Sequence, residues 1–209
     1  MKFSDRHKEK AARGMQIILV ALLLSGLYTA STKVIINSSI GLLITFIPGL
    51  LEKRYDLAMN PFLSLWITSA VFFHALGSFG FYGSISWWDH LTHALSASLV
   101  AATGYTVIRA VDIHSEKIYL PKKFMFVFII LTVIAFGVIW ELFEFLLDII
   151  AANTGISMPL AQHGLDDTMK DMIYNTGGAL VTATIGQAYL SEFAEKIRDK
   201  VLETDLRSR

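Results

Sequence analysis

An all-α, polytopic membrane bundle of six transmembrane helices, with both termini cytoplasmic, is the fold this sequence predicts. Three observations carry the prediction. The apolar residues come in long runs, with 54% of the chain hydrophobic, only 17% charged and a mean hydropathy of +0.52; soluble domains carry about 25% charged residues. Six such runs approach the ~20 residues needed to cross the hydrocarbon core. Lysine and arginine gather in every second connection, as six spans starting and ending in the cytoplasm require.

The first run extends from about Met15 to Ser31. Its basic start and apolar core also suit a signal peptide. Against that, the preceding segment is long, and Tyr28 would be the third residue before a cut after Ala30, where such sites take a small residue. Val34 to Leu51 is the weakest run, because Asn37, Ser38 and Ser39 interrupt it. Pro61 to Tyr82, Asp89 to Val111, Phe124 to Ile150 and Asp167 to Leu190 complete the six. The chain thus divides into a basic tail (residues 1–14), a transmembrane domain (15–190) and a C-terminal tail (191–209). In that last segment Phe193, Ile197 and Val201 recur every fourth residue with charges between them. The pattern predicts an amphipathic helix, either lying on the cytoplasmic surface or packing on the bundle as a solvated extension.

The basic residues orient the spans. Lys2, Arg6, Lys8, Lys10 and Arg13 precede the first, Lys53 and Arg54 follow the second, and Arg109, Lys117, Lys122 and Lys123 follow the fourth. Lys196, Arg198, Lys200, Arg207 and Arg209 follow the sixth, while the other three connections contain only Lys33. The positive-inside bias predicts a multi-pass protein of the cytoplasmic (inner) membrane, with Phe79, Phe81, Tyr82, Trp87 and Trp88 in an outer aromatic belt. Net charge is zero, so nothing points to nucleic acid, and the lipid bilayer is the partner the composition implies. It leaves oligomeric state open. The absence of cysteine removes disulfides, thiolate ligands and a cysteine nucleophile.

Three segments set acid and histidine where a membrane tolerates them least: Trp88-Asp89-His90-Leu91-Thr92-His93, Trp140-Glu141-Leu142-Phe143-Glu144, and the stretch from His163 to Met172. Ionisable groups at membrane depth are costly and mark function by default. Asp89 and His93, four apart, share a helix face. Glu141, Glu144 and Asp148 form a stripe on the fifth span, and Asp167, Asp171 and Asn175 one on the sixth. His74 lies in the outer half of the third. Given the alternation of spans, four helices present polar groups at similar depth on the extracytoplasmic side, and their inner halves carry no ionisable residue beyond the cytoplasmic ends. The pattern predicts a polar pocket open outward and closed below. Gly177 and Gly178 would let the sixth span approach a neighbour closely. The connection from Ala151 to Asp166, with Gly155, Pro159 and His163, is long enough to cover the mouth.

Plainer readings exist for single residues. Ser86 to Asp89 and Thr168 to Asp171 have capping-box spacing, so Asp89 and Asp171 could serve as caps. Asp148 and His163 could be solvated, and His90 is expected to face away from His93 at the interface. Glu141 and Glu144 lie inside an apolar run where an unpaired carboxylate is costly, and the nearest outer-half cation is Lys170. A bound metal cation resolves that problem.

Carboxylates and imidazoles without thiolates suit zinc, manganese, iron or magnesium. The candidate ligands of one ion with an open site, or of two ions, are Asp89, His93, Glu141, Glu144 and Asp171. His74 or Asp167 would serve as general base. Lys170, Asn175, His163 and Asp148 are left for substrate or for positioning the ligands. A metal there would activate water for hydrolysis or group transfer, and Lys170 would suit an anionic, lipid-linked or amphipathic substrate. No HExxH and no Gly-x-Ser-x-Gly signature is present.

Asp89-x-x-x-His93, Glu141-x-x-Glu144 and Asp167-Thr168-x-x-Asp171-Met172 followed by Gly178-Ala179, with His74 on the preceding helix, resemble the YjdF-like family of prokaryotic inner-membrane proteins. More distantly they are similar to VanZ-like membrane proteins. The resemblance spans about His74 to Ala179 and implies a polytopic membrane protein; it implies no activity. His90 departs from it, standing where arginine is frequent. A metal-dependent membrane enzyme is the leading expectation. A transporter or proton-coupled permease is the first alternative, disfavoured by the lack of an internal repeat. A cation-binding sensor or structural protein is the second.

Overall fold

A computed structural model of the chain describes residues 5–114, 119–155, 164–185 and 187–207. Among them there are helices and turns and no strand. Helix α1 spans Asp5–Tyr28, so the basic tail continues directly into the first apolar run. The chain reverses through Ala30, whose φ is 52°, into α2 (Thr32–Thr45), which Pro48 separates from α3 (Ile47–Tyr55). Asn37 and Ser38, which weaken this run as a sequence, are both buried. They face the bundle, and Asn37 donates to Ser78 Oγ at 2.7 Å.

Helix α4 (Pro61–Leu76) starts with proline in its first turn and with the Asn60 side chain accepting from the Phe62 amide at 2.9 Å. It runs into a π-helical turn over Gly77–Phe81, in which Gly80 takes φ 154°, and then into the short α5 (Tyr82–Ser84). Such turns frequently occur at functional sites. Here the turn folds Tyr82 back over Gly77, where a Cβ would meet the tyrosine ring.

Helix α6 (Trp88–His114) and helix α7 (Lys122–Thr154) are longer than their apolar runs. The 33 residues of α7 extend about 50 Å at 1.5 Å per residue. Gly155, at φ 70°, ends α7 in the left-handed conformation that glycine adopts without strain. Pro159 and His163, with the expected cover of the pocket mouth, lie outside the described residues. Helices α8 (Leu165–Ile185) and α9 (Gln187–Arg207) complete the chain.

Among the described residues, five helical stretches are long and apolar enough to cross a membrane: α1, α2 with α3, α4 through α5, α6, and α7. Helix α8 is not among them. It carries Asp166, Asp167, Lys170 and Asp171 near its start and lies against both α6 and α7. Leu19, Leu22, Phe72 and Ala75 form one core between α1 and α4. A second gathers Ala97, Ala101, Ile129, Val133, Ala179 and Leu190 from α6 to α9. Phe193 packs against that second core and Ala194 is fully buried, so α9 rests on the bundle.

The pattern on α7 is directional. Met125, Ile129, Val133, Gly137, Glu141 and Glu144 form its buried stripe, while Leu131, Phe136, Ile139, Leu142, Phe143 and Leu146 stand about half exposed. Large exposed apolar surface of this kind marks a membrane-facing side. The two carboxylates occupy the inward stripe, in line with the core residues.

Candidate functional site

Three helices bring acid and imidazole together at one end of the bundle. Asp89, His90 and His93 come from the first two turns of α6, Glu141 from the inward stripe of α7, and Asp171 from the second turn of α8. Helix α8 reaches this position because Gly178 lies so close to Ala94 that a Cβ would collide with the Ala94 carbonyl. Gly137 likewise leaves room for Met172 and Asn175. Gly177, by contrast, faces open space, so only one of the adjacent pair serves the close approach.

Asp171 is at the centre of the group and only 1% exposed. Its Oδ2 lies 3.6 Å from His93 Nε2 and its Oδ1 3.9 Å from His90 Nδ1. His93 Nε2 is also 3.7 Å from Asp89 Oδ1. Ligand atoms of His93, Glu141 and Asp171 lie within 4.8 Å of one another, and so do those of Asp89, His90 and Asp171. Glu141 is 6% exposed, yet neither of its oxygens accepts a hydrogen bond from a described group. Asp171 Oδ1 and His90 Nδ1 are likewise buried without a hydrogen-bond partner. Leaving a buried carboxylate unsatisfied costs several kcal/mol. A divalent cation bound by oxygen and nitrogen donors would remove that cost, and the donor types suit zinc, manganese, iron or magnesium. The residues therefore fit an ion.

Other predicted residues sit differently. Glu144 is buried, but its Oε1 accepts from the Trp140 indole at 3.0 Å, and it belongs to neither ligand group. The i,i+4 indole thus gives one oxygen of this expected ligand a partner of its own. Asp167 is partly buried one turn before Asp171 on α8. Lys170 pairs with Asp166 on the exposed side of α8. Asp148 is partly buried one turn beyond Glu144. Asn175 is buried beside Gly137.

His74 joins the site through the π-helical turn. The Tyr82 hydroxyl is 2.7 Å from His74 Nδ1 and 3.3 Å from Thr92 Oγ1, and Thr92 donates to the Asp89 carbonyl at 2.8 Å. The ring of His74 also meets Trp140 edge-on. Beside it opens a cleft of about 580 Å³. His74, Thr92, His93, Trp140 and Asn175 are among its polar lining residues, and Ile40, Val71, Val100, Val133, Phe136 and Phe143 contribute apolar walls.

The expectation that His90 faces away from the site is corrected here. His90 and His93 are three apart, and residues three apart are neighbours on a helix surface. Tyr174 stacks on the His90 ring, with centroids 4.3 Å apart and planes 7° from parallel. The spacing was a visible signal for His90. That Tyr174 and Tyr82 take part was not visible, because their partners lie on another helix or across the turn at Gly77, whereas Trp140 stands four residues before Glu144 on the same helix.

The family described as a predicted membrane protein (DUF2238) matches residues 11–192. The chain belongs to this family. The match takes in every residue of the cluster and of the cleft. An uncharacterized protein of Thermotoga maritima is 27% identical over 174 residues, covering 80% of this chain and 86% of that protein. No solved structure matches. Membership makes the chain a membrane protein, in keeping with its five apolar helical stretches. The family's description names no chemistry.

Proposed function

We propose that this DUF2238 protein is a metal-dependent hydrolase or transferase of the cytoplasmic membrane, acting at the extracytoplasmic side on a lipid-linked or amphipathic substrate. The observation that carries the reading is Glu141. It is a carboxylate 6% exposed, with both oxygens unpartnered among described groups, held with His93 and Asp171 at a spacing that an ion can bridge. Helix α8 is proposed as a sixth span, its polar residues sheltered by α6 and α7 rather than facing lipid. The alternation of basic connections then sets both termini in the cytoplasm.

The roles follow from chemistry. An ion bound by His93, Glu141 and Asp171, with Asp89 alongside, would lower the pKa of a bound water. His74, oriented by Tyr82, or Asp167 would act as general base. Lys170, paired only on the surface with Asp166, would be free to exchange that partner for an anionic group, since such exposed pairs are weak. The lipid-linked character rests on the cleft. Its apolar walls lead from the cluster to Ile40, Phe136 and Phe143, which are about half exposed on the membrane-facing rim, and its volume is in the range of small-molecule sites.

A cation-binding structural or sensor role is the second reading. It is favoured by the distances of His93 to Asp89 and Asp171, which also suit a closed acid–histidine network. A transporter finds less support: toward the opposite end the buried polar groups on α6 and α8 are the hydroxyls of Ser98, Thr106 and Thr182, not a proton relay. Metal analysis of the purified protein beside Glu141→Gln and His93→Ala tests the proposal. Stoichiometric metal in the wild type and its loss in both variants are expected. Metal-free wild-type protein, still metal-free after incubation with zinc, manganese, iron and magnesium, rules the proposal out.

A further inference from the structure

The two ligand groups share Asp171, and each of its oxygens turns toward a different histidine. Oδ1 lies 3.9 Å from His90 Nδ1 and Oδ2 lies 3.6 Å from His93 Nε2. We propose that the centre takes two divalent ions, bridged by Asp171: one between Asp89, His90 and Asp171, the other between His93, Glu141 and Asp171. The inference rests on the metal reading above and adds the second ion to it.

The unpartnered atoms argue for two ions. They fall on both sides of the shared carboxylate: both Glu141 oxygens in one group, His90 Nδ1 and Asp171 Oδ1 in the other. An ion between His93 and Glu141 leaves His90 Nδ1 and Asp171 Oδ1 buried and unsatisfied. An ion between Asp89 and His90 leaves Glu141 so. Charge argues the same way. Asp89, Glu141 and Asp171, when ionised, together carry one more negative charge than a single divalent ion neutralises. His90 is also held for the task. The stacked Tyr174 ring fixes the imidazole plane, as ligand histidines are fixed by groups behind them. Two ions about 3.5–4 Å apart clamp the attacking and leaving oxygens of an in-line displacement. The class of substrate this suits is a phosphate ester or pyrophosphate carried on a lipid.

The test uses the full chain in detergent, stripped with chelator and titrated with Mn²⁺, reading stoichiometry together with the electron paramagnetic resonance spectrum. The expected result is two ions per chain with a spin-coupled signal, falling to one ion with the sextet of an isolated ion in His90→Ala. One ion per chain in the wild type overturns the two-ion centre and leaves the metal-dependent reading standing. Two ions without coupling overturn the Asp171 bridge. No bound ion, with Mn²⁺ or with zinc, iron or magnesium in its place, overturns both proposals. The wild-type spectrum decides the question even where a variant fails to fold.

Discussion

His93 of α6 and Asp171 of α8 approach within 3.6 Å, Nε2 to Oδ2. This pair joins the two helices that pack most intimately at the site, where Gly178 meets the α6 backbone at Ala94. It also ties together the two sets of ligand atoms.

Because the cluster is built from three helices, an ion bound there links them and should stabilise the fold. A ligand that binds only the native state contributes about 2.7 kcal/mol at a concentration one hundred times its dissociation constant. The thermal midpoint of the detergent-solubilised protein is expected to fall on chelation and to recover on adding the metal. In Glu141→Gln neither change should appear. A wild-type midpoint indifferent to both chelator and added ion would count against the centre.

The neighbouring glycines should respond in opposite directions. A Cβ at Gly178 collides with the Ala94 carbonyl, and one at Gly177 meets nothing within 4 Å. Gly178→Ala is expected to cost about 1–3 kcal/mol through overpacking. Gly177→Ala should be neutral or up to about 1 kcal/mol stabilising through helix propensity. Unfolding in detergent compares the two directly; equal effects would mean that α6 and α8 do not meet at Gly178.

The cleft makes a separate prediction. Val100 lines it away from the ligand groups. Val100→Trp is expected to fill the cleft, reducing the lipid retained through purification at least severalfold while leaving metal content unchanged. Lipid extraction and mass spectrometry measure the first quantity, elemental analysis the second. Equal lipid retention in variant and wild type would remove the cleft from the substrate path.

Orientation is accessible because the chain has no cysteine. Leu165, 76% exposed at the start of α8, should as Leu165→Cys react with a membrane-impermeant maleimide applied from outside. Lys53→Cys, in the exposed basic segment of α3, should react only after the membrane is opened. The reverse labelling would put the cluster on the cytoplasmic side.

Much of the site was legible in the sequence where the signal was local. Asp89 and His93 four apart on α6, and Glu141 and Glu144 three apart on α7, need only the helical period to share a face. The same period on α7 aligns Glu141 with Val133 and Gly137, so its inward direction is a property of the sequence. Glu144, on that stripe, was legible as buried, and Trp140 four residues earlier donates to it. His90 was misjudged despite its spacing, since its weight comes from Asp171 and Tyr174 on α8. The bond from Tyr82 to His74 depends on a π-helical turn that no apolar periodicity announces.

By itself the sequence determined the apolar helical stretches, the stripes upon them and the basic bias of alternate connections, because each is set by neighbours within a few residues along the chain. Only the tertiary structure decided that Asp171 stands between two histidines, that Gly178 rather than Gly177 carries the helix contact, and that an apolar cleft is lined by His74 and His93. Those outcomes depend on how far each helix is rotated and translated against the next, which is settled by the packing of many side chains from separate segments at once.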